Sequence, residues 1–110
     1  MDILELRKAL QDGIAVEYTA HCQKRMLERD ISRADIQNVI ICGEIIEDYP
    51  LKDGNISEKS FPSCLILGCK INDGKMIHIV VGFNGKKILM ISACYPDLEH
   101  WCDDCKTRRR

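Results

Sequence analysis

Residues 76–95 read Met76-Ile77-His78-Ile79-Val80-Val81-Gly82-Phe83-Asn84-Gly85-Lys86-Lys87-Ile88-Leu89-Met90-Ile91-Ser92-Ala93-Cys94-Tyr95. This stretch decides the fold. Two runs rich in Ile, Val and Leu flank Asn84-Gly85, a dipeptide suited to the positive-φ positions of a tight hairpin turn. The pattern predicts antiparallel strands over Lys75 to Phe83 and Lys87 to Tyr95. A two-residue turn pairs Phe83 with Lys86 and brings His78 opposite Ile91. One face then holds Met76, His78, Val80 and Gly82 with Lys87, Leu89, Ile91, Ala93 and Tyr95. The other holds Ile77, Ile79, Val81, Phe83, Ile88 and Met90, with Ser92 and Cys94. That second face is the more apolar and is the one expected under helices.

Working outward, Asn72-Asp73-Gly74 marks a second turn, and Ser63 to Ile71 reads as the strand before it. Its parity stays open, because the turn can hold two residues or three. Glu44 to Tyr49 is a further strand, stopped by Pro50, and Pro96 closes the sheet. The polar run Lys52 to Ser60 reads as a mobile loop. Helical signals fill the first forty residues. Asp2 caps a helix carrying Ile3, Leu6 and Leu10, with Glu5 as reciprocal partner and Gly13 as stop. A second helix runs from Thr19 to about Asp30, with Cys22, Met26 and Ala15 or Tyr18 as a narrow apolar stripe. In the third, Ser32 and Asp35 form a capping box, Ile31 and Ile36 take the staple positions, and Gly43 ends it. The expected architecture is α+β: two or three N-terminal helices, then a four-stranded, mostly antiparallel sheet, in a single domain over residues 1–110.

Composition narrows the function classes. Sixteen Lys and Arg against 17 Asp and Glu give a formal charge of −1, which excludes a histone-like polycation but not a local basic patch. The longest apolar run, Ile77 to Phe83 with His78 inside it, falls far short of the roughly 18 residues that a spanning helix needs. Met1-Asp2-Ile3-Leu4-Glu5 lacks the basic start and apolar stretch of a signal peptide. Seven cysteines are an odd number. With no export signal they point to free thiols in a reducing cytoplasm.

The candidate chemistry lies in two places. His21, Arg25 and Arg29 stand at i, i+4 and i+8 and form one row on the second helix, bordering its apolar stripe. His78, Lys87 and Tyr95 share the less apolar strand face and can handle protons or phosphate. The competing readings are a solvated helix face and a half-buried structural histidine.

Several segments, in order, resemble the bacterial uncharacterised domain family DUF 4258. They are Thr19-Ala20-His21 through Arg25-Met26-Leu27-Glu28-Arg29, Ile31-Ser32-Arg33-Ala34-Asp35-Ile36, and Gly43-Glu44-Ile45-Ile46-Glu47-Asp48-Tyr49-Pro50. Pro62-Ser63-Cys64-Leu65-Ile66-Leu67-Gly68, His78-Ile79-Val80-Val81, and Tyr95-Pro96-Asp97 before Trp101 continue the match, which spans residues 17 to 110. The resemblance implies kinship with small ribonuclease toxins of the RelE, BrnT and barnase-like fold group. It also implies a cognate zinc-finger antitoxin of the MqsA or YgiT type. The implied activity is cofactor-free, metal-independent RNA cleavage, in which the 2′-hydroxyl attacks the adjacent phosphorus. Such chemistry uses a base, an acid and cations on the phosphate oxygens. His21 or His78 would move protons, Arg25 and Arg29 would clamp phosphate, and Tyr95 would be an auxiliary acid or stacking platform. Lys87 and the tail residues Lys106, Arg108, Arg109 and Arg110 would add salt-sensitive affinity for the RNA backbone. The tail reads equally as a frayed, solubilising terminus. A non-catalytic protein- or nucleic-acid-binding module of the same fold is the main rival.

Cys102-x-x-Cys105 has the spacing of half a zinc knuckle, and Cys94 and His100 are near enough in sequence to complete four ligands. No second Cys-x-x-Cys is present, and the pair departs from the family pattern around Trp101. The alternatives are a small zinc-binding protein and a pair of oxidisable thiols.

Overall fold

The structure, a computed structural model, describes residues 1–49 and 61–109. The expected loop over Lys52 to Ser60, Pro50 and Arg110 lie outside these residues. Three helices, α1 (Ile3–Gln11), α2 (Ala20–Arg29) and α3 (Arg33–Cys42), combine with five strands: β1 (Ala15–Tyr18), β2 (Glu44–Tyr49), β3 (Ser63–Cys69), β4 (Met76–Phe83) and β5 (Lys87–Cys94). The order across the sheet is β1-β5-β4-β3-β2. The α+β class and the antiparallel β2-β3-β4-β5 meander follow the sequence pattern. The fifth strand corrects it. Ala15 and Tyr18 do not extend the stripe of α2. They belong to β1, which pairs in parallel with β5, Val16 beside Ile88 and Tyr18 beside Met90.

Local chemistry sets the helix ends. The Asp2 carboxylate accepts from the Leu4 amide, and the Thr19 hydroxyl oxygen accepts from the Cys22 amide. Ser32 and Asp35 make the full reciprocal box. Each arrangement satisfies an amide that the first helical turn leaves without a partner. Ile31 and Ile36 are both buried.

One sheet face packs under the helices. Ile66, Ile77, Ile79, Val81, Ile88, Met90 and Ala93 meet Leu6, Cys22, Ile36, Val39 and Ile40 there. A β-carbon added at Gly68 would lie 2.8 Å from a methyl of Val39. Only glycine lets α3 lie this close to β3.

The β4–β5 register departs from expectation twice. Phe83 pairs with Ile88, because the connection runs from Asn84 to Lys87 and not over two residues. That shift of two preserves which residues face the helices. A bulge at Ile91 then separates the Val81–Met90 pair from Val80–Ser92 and brings His78 opposite Cys94. One inserted residue reverses every facing beyond it. Ala93 therefore turns inward, while Ser92 and Cys94 join His78 on the outer face. Tyr95 also goes inward and packs on the helical core.

The outer face carries its own small cover. Residues 97–109 return across it as a strap, with Trp101 bridged to Arg108. The Cys102 amide donates to Thr107 O at 2.7 Å and the Arg109 amide to His100 O at 2.8 Å. Trp101 is buried, as are Leu65, Leu67 and His78.

Candidate functional site

The α2 row is positioned by one hydroxyl. Thr19 Oγ1 caps α2 and also donates to the Ile91 carbonyl at 3.1 Å, at the β5 bulge. β1 ends one residue earlier, so α2 continues beside β5 where the parallel strand stops. Cys22 points into the core. His21 is exposed, and Arg25 and Arg29 are half-exposed. Arg25 Nη1 donates to Glu28 at 2.9 Å. Burial pushes the Cys94 thiol pKa up, and the charges of Arg29 and Arg25 draw it part of the way back. Arg25 and Arg29 thus flank the strand end whose partner residue is His78.

His78 is buried at 3 % exposure. Its Nε2 lies 2.6 Å from the Cys105 carbonyl. A carbonyl only accepts, so Nε2 carries the proton. The Trp101 ring stands edge-on, with centroids 4.6 Å apart and planes at 71°. Burial holds the His78 pKa below its ordinary value, opposed by the Cys105 carbonyl and the Glu47 charge. The imidazole therefore takes up a proton at lower pH than an ordinary histidine.

Tyr95 is on the other side of the sheet. Its hydroxyl donates to the Arg29 carbonyl at 2.7 Å, satisfying an acceptor at the end of α2. His78 and Tyr95 therefore do not share a face, contrary to the two-residue-turn register, and the bulge at Ile91 is the cause. The structure sets Tyr95 against the end of α2 on the helix side, places His78 beneath the strap on the outer face, and leaves His21 on the first turn of α2.

Of the five cations expected to add affinity for the RNA backbone, Arg110 lies outside the described residues, and the other four have partners within the chain. Lys87 pairs with Glu17 at 2.7 Å, and Lys106 with Glu44 at 3.4 Å. Arg108 makes a two-pronged contact with Glu47 at 2.6 and 2.9 Å. Its guanidinium also lies 4.5 Å from the centre of the Trp101 ring. Arg109 donates to the Leu98 carbonyl and the Asp103 carboxylate. The tail from Asp97 to Arg109 is thus not frayed. It is tied to β2, where the bulge between Ile45 and Glu47 puts Glu44 and Glu47 on the outer face together.

Glu47 is the residue that sequence reasoning missed here. Arg108 holds its carboxyl down at about 2, with the Tyr49 hydroxyl donating to the same carboxylate. The legible signal was the acidic residues of β2, Glu44, Glu47 and Asp48, set against the cations of the tail. A second missed pair is Asp97 with His100 Nδ1, 2.8 Å apart and exposed.

The zinc alternative is corrected. Among the described residues no group of three or more His, Cys, Asp or Glu stands close enough to hold a metal. Cys94 lies in β5 beside His78, His100 turns to Asp97, and Cys102 and Cys105 belong to a turn of the strap. The register and the strap's own hydrogen bonds do not gather the four into one ligand set. No helix of the described residues is long and apolar enough to cross a membrane.

Fold and site together define a small α+β domain: a helix-covered sheet, an arginine row beside its last strand and a strapped outer face. Residues 18–95 match the sequence profile of the family described as a domain of unknown function, DUF4258, and the chain belongs to that family. Neither the curated proteins nor the solved structures contain a match.

Proposed function

We propose that the chain is a toxin-like, metal-independent endoribonuclease of the RelE and BrnT kind, acting on RNA through the exposed side of α2. The observation that carries this reading is the row itself. His21, Arg25 and Arg29 lie along one side of a single helix and none of them is fully buried. Among the described residues no hydrogen bond or ion pair engages the His21 ring. The Arg25 and Arg29 guanidinium groups hold the phosphate oxygens, for which their permanent charge and forked donors suit them. The His21 imidazole takes the proton from the 2′-hydroxyl. The 2′ oxygen bonds to phosphorus, the bond to the 5′ oxygen breaks, and solvent protonates that oxygen. Tyr95 acts as a positioning residue, because its hydroxyl fixes the Arg29 carbonyl. A zinc-finger antitoxin of the MqsA or YgiT type is the partner in this reading.

The test is cleavage of a fluorescent RNA by the purified chain, with chelator present. His21→Ala is expected to lower the rate by about 10²-fold or more, the scale of a lost proton-transfer group. Arg25→Ala is expected to cut cleavage sharply with an unchanged thermal transition. Cleavage by both variants at the parent's rate overturns the proposal.

A second reading has its own observation. His78 Nε2 is engaged by the Cys105 carbonyl and the Tyr95 hydroxyl by the Arg29 carbonyl, so two proton-handling groups are committed to the fold. That favours a non-catalytic module binding RNA or protein through the same row. RNA retention without cleavage, abolished by Arg25→Ala, distinguishes it.

A further inference from the structure

Cys102 and Cys105 are the two thiols of the strap, and the proposed function uses neither. The Cys105 amide donates to the Cys102 carbonyl at 2.9 Å. This bond closes a four-residue turn, whose end α-carbons lie within about 7 Å. A disulfide spans α-carbons about 4.4–6.8 Å apart. A turn closed in this way brings its end α-carbons near the span that a disulfide needs. Cys105 itself is in the left-handed region at φ 62°, and its thiol folds back over the turn toward the Asp103 carbonyl. Both thiols are free and half-exposed, whereas Cys22 and Cys64 are buried. The position matters for the outer face, because the Cys105 carbonyl is the group that accepts from His78.

We propose that Cys102 and Cys105 form a redox-active dithiol that closes to a disulfide and so locks the strap over His78. The oxidant is a low-molecular-weight disulfide, such as oxidised glutathione. One protein thiolate attacks it, forming a mixed disulfide and releasing one thiol. The second protein thiolate attacks the protein sulfur of that mixed disulfide and releases the second thiol. The pair loses two hydrogens and the oxidant gains them. The bridge removes excursions of the turn in which the Cys105 carbonyl leaves the imidazole.

The full chain treated with oxidised glutathione tests both parts. Asp103 and Asp104 lie between the two cysteines. Proteolysis on the amino side of aspartate therefore separates them unless a disulfide joins the fragments. Joined fragments without reductant, and separate ones with it, are the expected result. Cys102→Ser is expected to stop at a mixed disulfide on Cys105. Hydrogen exchange at the Cys102 and Arg109 amides, which carry the strap's cross-bonds, is expected to slow in the bridged protein. Persistent mixed disulfides on Cys102 or Cys105 of the parent chain, or a bridge to Cys42 or Cys94 instead, overturn the pairing. Exchange that is unchanged or faster in the bridged protein overturns the locking.

Discussion

The two faces of the sheet are held by different physics. The inner face is a continuous apolar layer, in which Ile66, Ile77, Ile79 and Val81 are buried beneath three helices. Its stability comes from area removed from water and from close packing, neither of which depends on charge. The outer face has Leu65, Leu67 and Trp101 at its centre. Around them stand a buried histidine, a carboxylate–guanidinium clamp and a turn of thiols. Apolar burial fixes the architecture on one side. On the other, polar contacts hold a segment of chain in a position that pH, salt and redox state can alter.

The largest expected effect lies on the inner face. Ile79→Ala removes a fully buried side chain and is expected to cost about 2–5 kcal/mol, the range for such truncations. Denaturant unfolding checks this, and the loss should not vary with pH. A loss below 1 kcal/mol would mean that the helices and sheet are less tightly packed than the Gly68–Val39 approach requires.

A smaller effect, confined to acid, is expected on the outer face. His78 titrates below its ordinary value when folded, so its contribution is intact above about pH 6.5. It is lost as pH falls through the lowered folded value, because the unfolded chain then binds the proton more readily. Glu47 follows the carboxylate rule. Its contribution is complete above the ordinary value of 4.5 and disappears as pH falls toward about 2. The strap should therefore weaken in two stages. His78→Gln, which keeps a donor for the Cys105 carbonyl, should erase the first stage and leave the second. Stability measured against pH for parent and variant decides the matter, and identical curves would sink it.

The smallest effect is that of the clamp alone. Arg108 is 55 % exposed and Glu47 23 %, so solvent screens the pair and Arg108→Ala should cost about 0.2–1 kcal/mol. The loss should shrink further in high salt. A cost equal to that of Ile79→Ala would abolish the distinction between the faces.

How far the sequence could be read follows the same division. The Ser32–Asp35 box, the meander and the inward run Ile77, Ile79, Val81 are written in local periodicity, and local signals survive folding. The four-residue β1 is not, because Ala15–Tyr18 is too short to declare itself and its partner lies some seventy residues later. The bulge at Ile91 has no marker such as glycine, yet it decides that His78 and Tyr95 part company. The α2 row was legible because helical spacing alone aligns His21, Arg25 and Arg29. The strap was not. An acidic-then-basic tail reads as solvated chain until the carboxylates of β2 are known to face it.

Trp101 is the chain's one tryptophan, and it sits on the imidazole of His78 beneath the guanidinium of Arg108. The intrinsic tryptophan emission of this protein therefore comes from a single spot on its outer face. Both neighbours are groups able to quench or shift an indole. A fluorimeter can thus follow the lifting of that segment on its own, without a dye or a tag, while the helices stay spectrally silent.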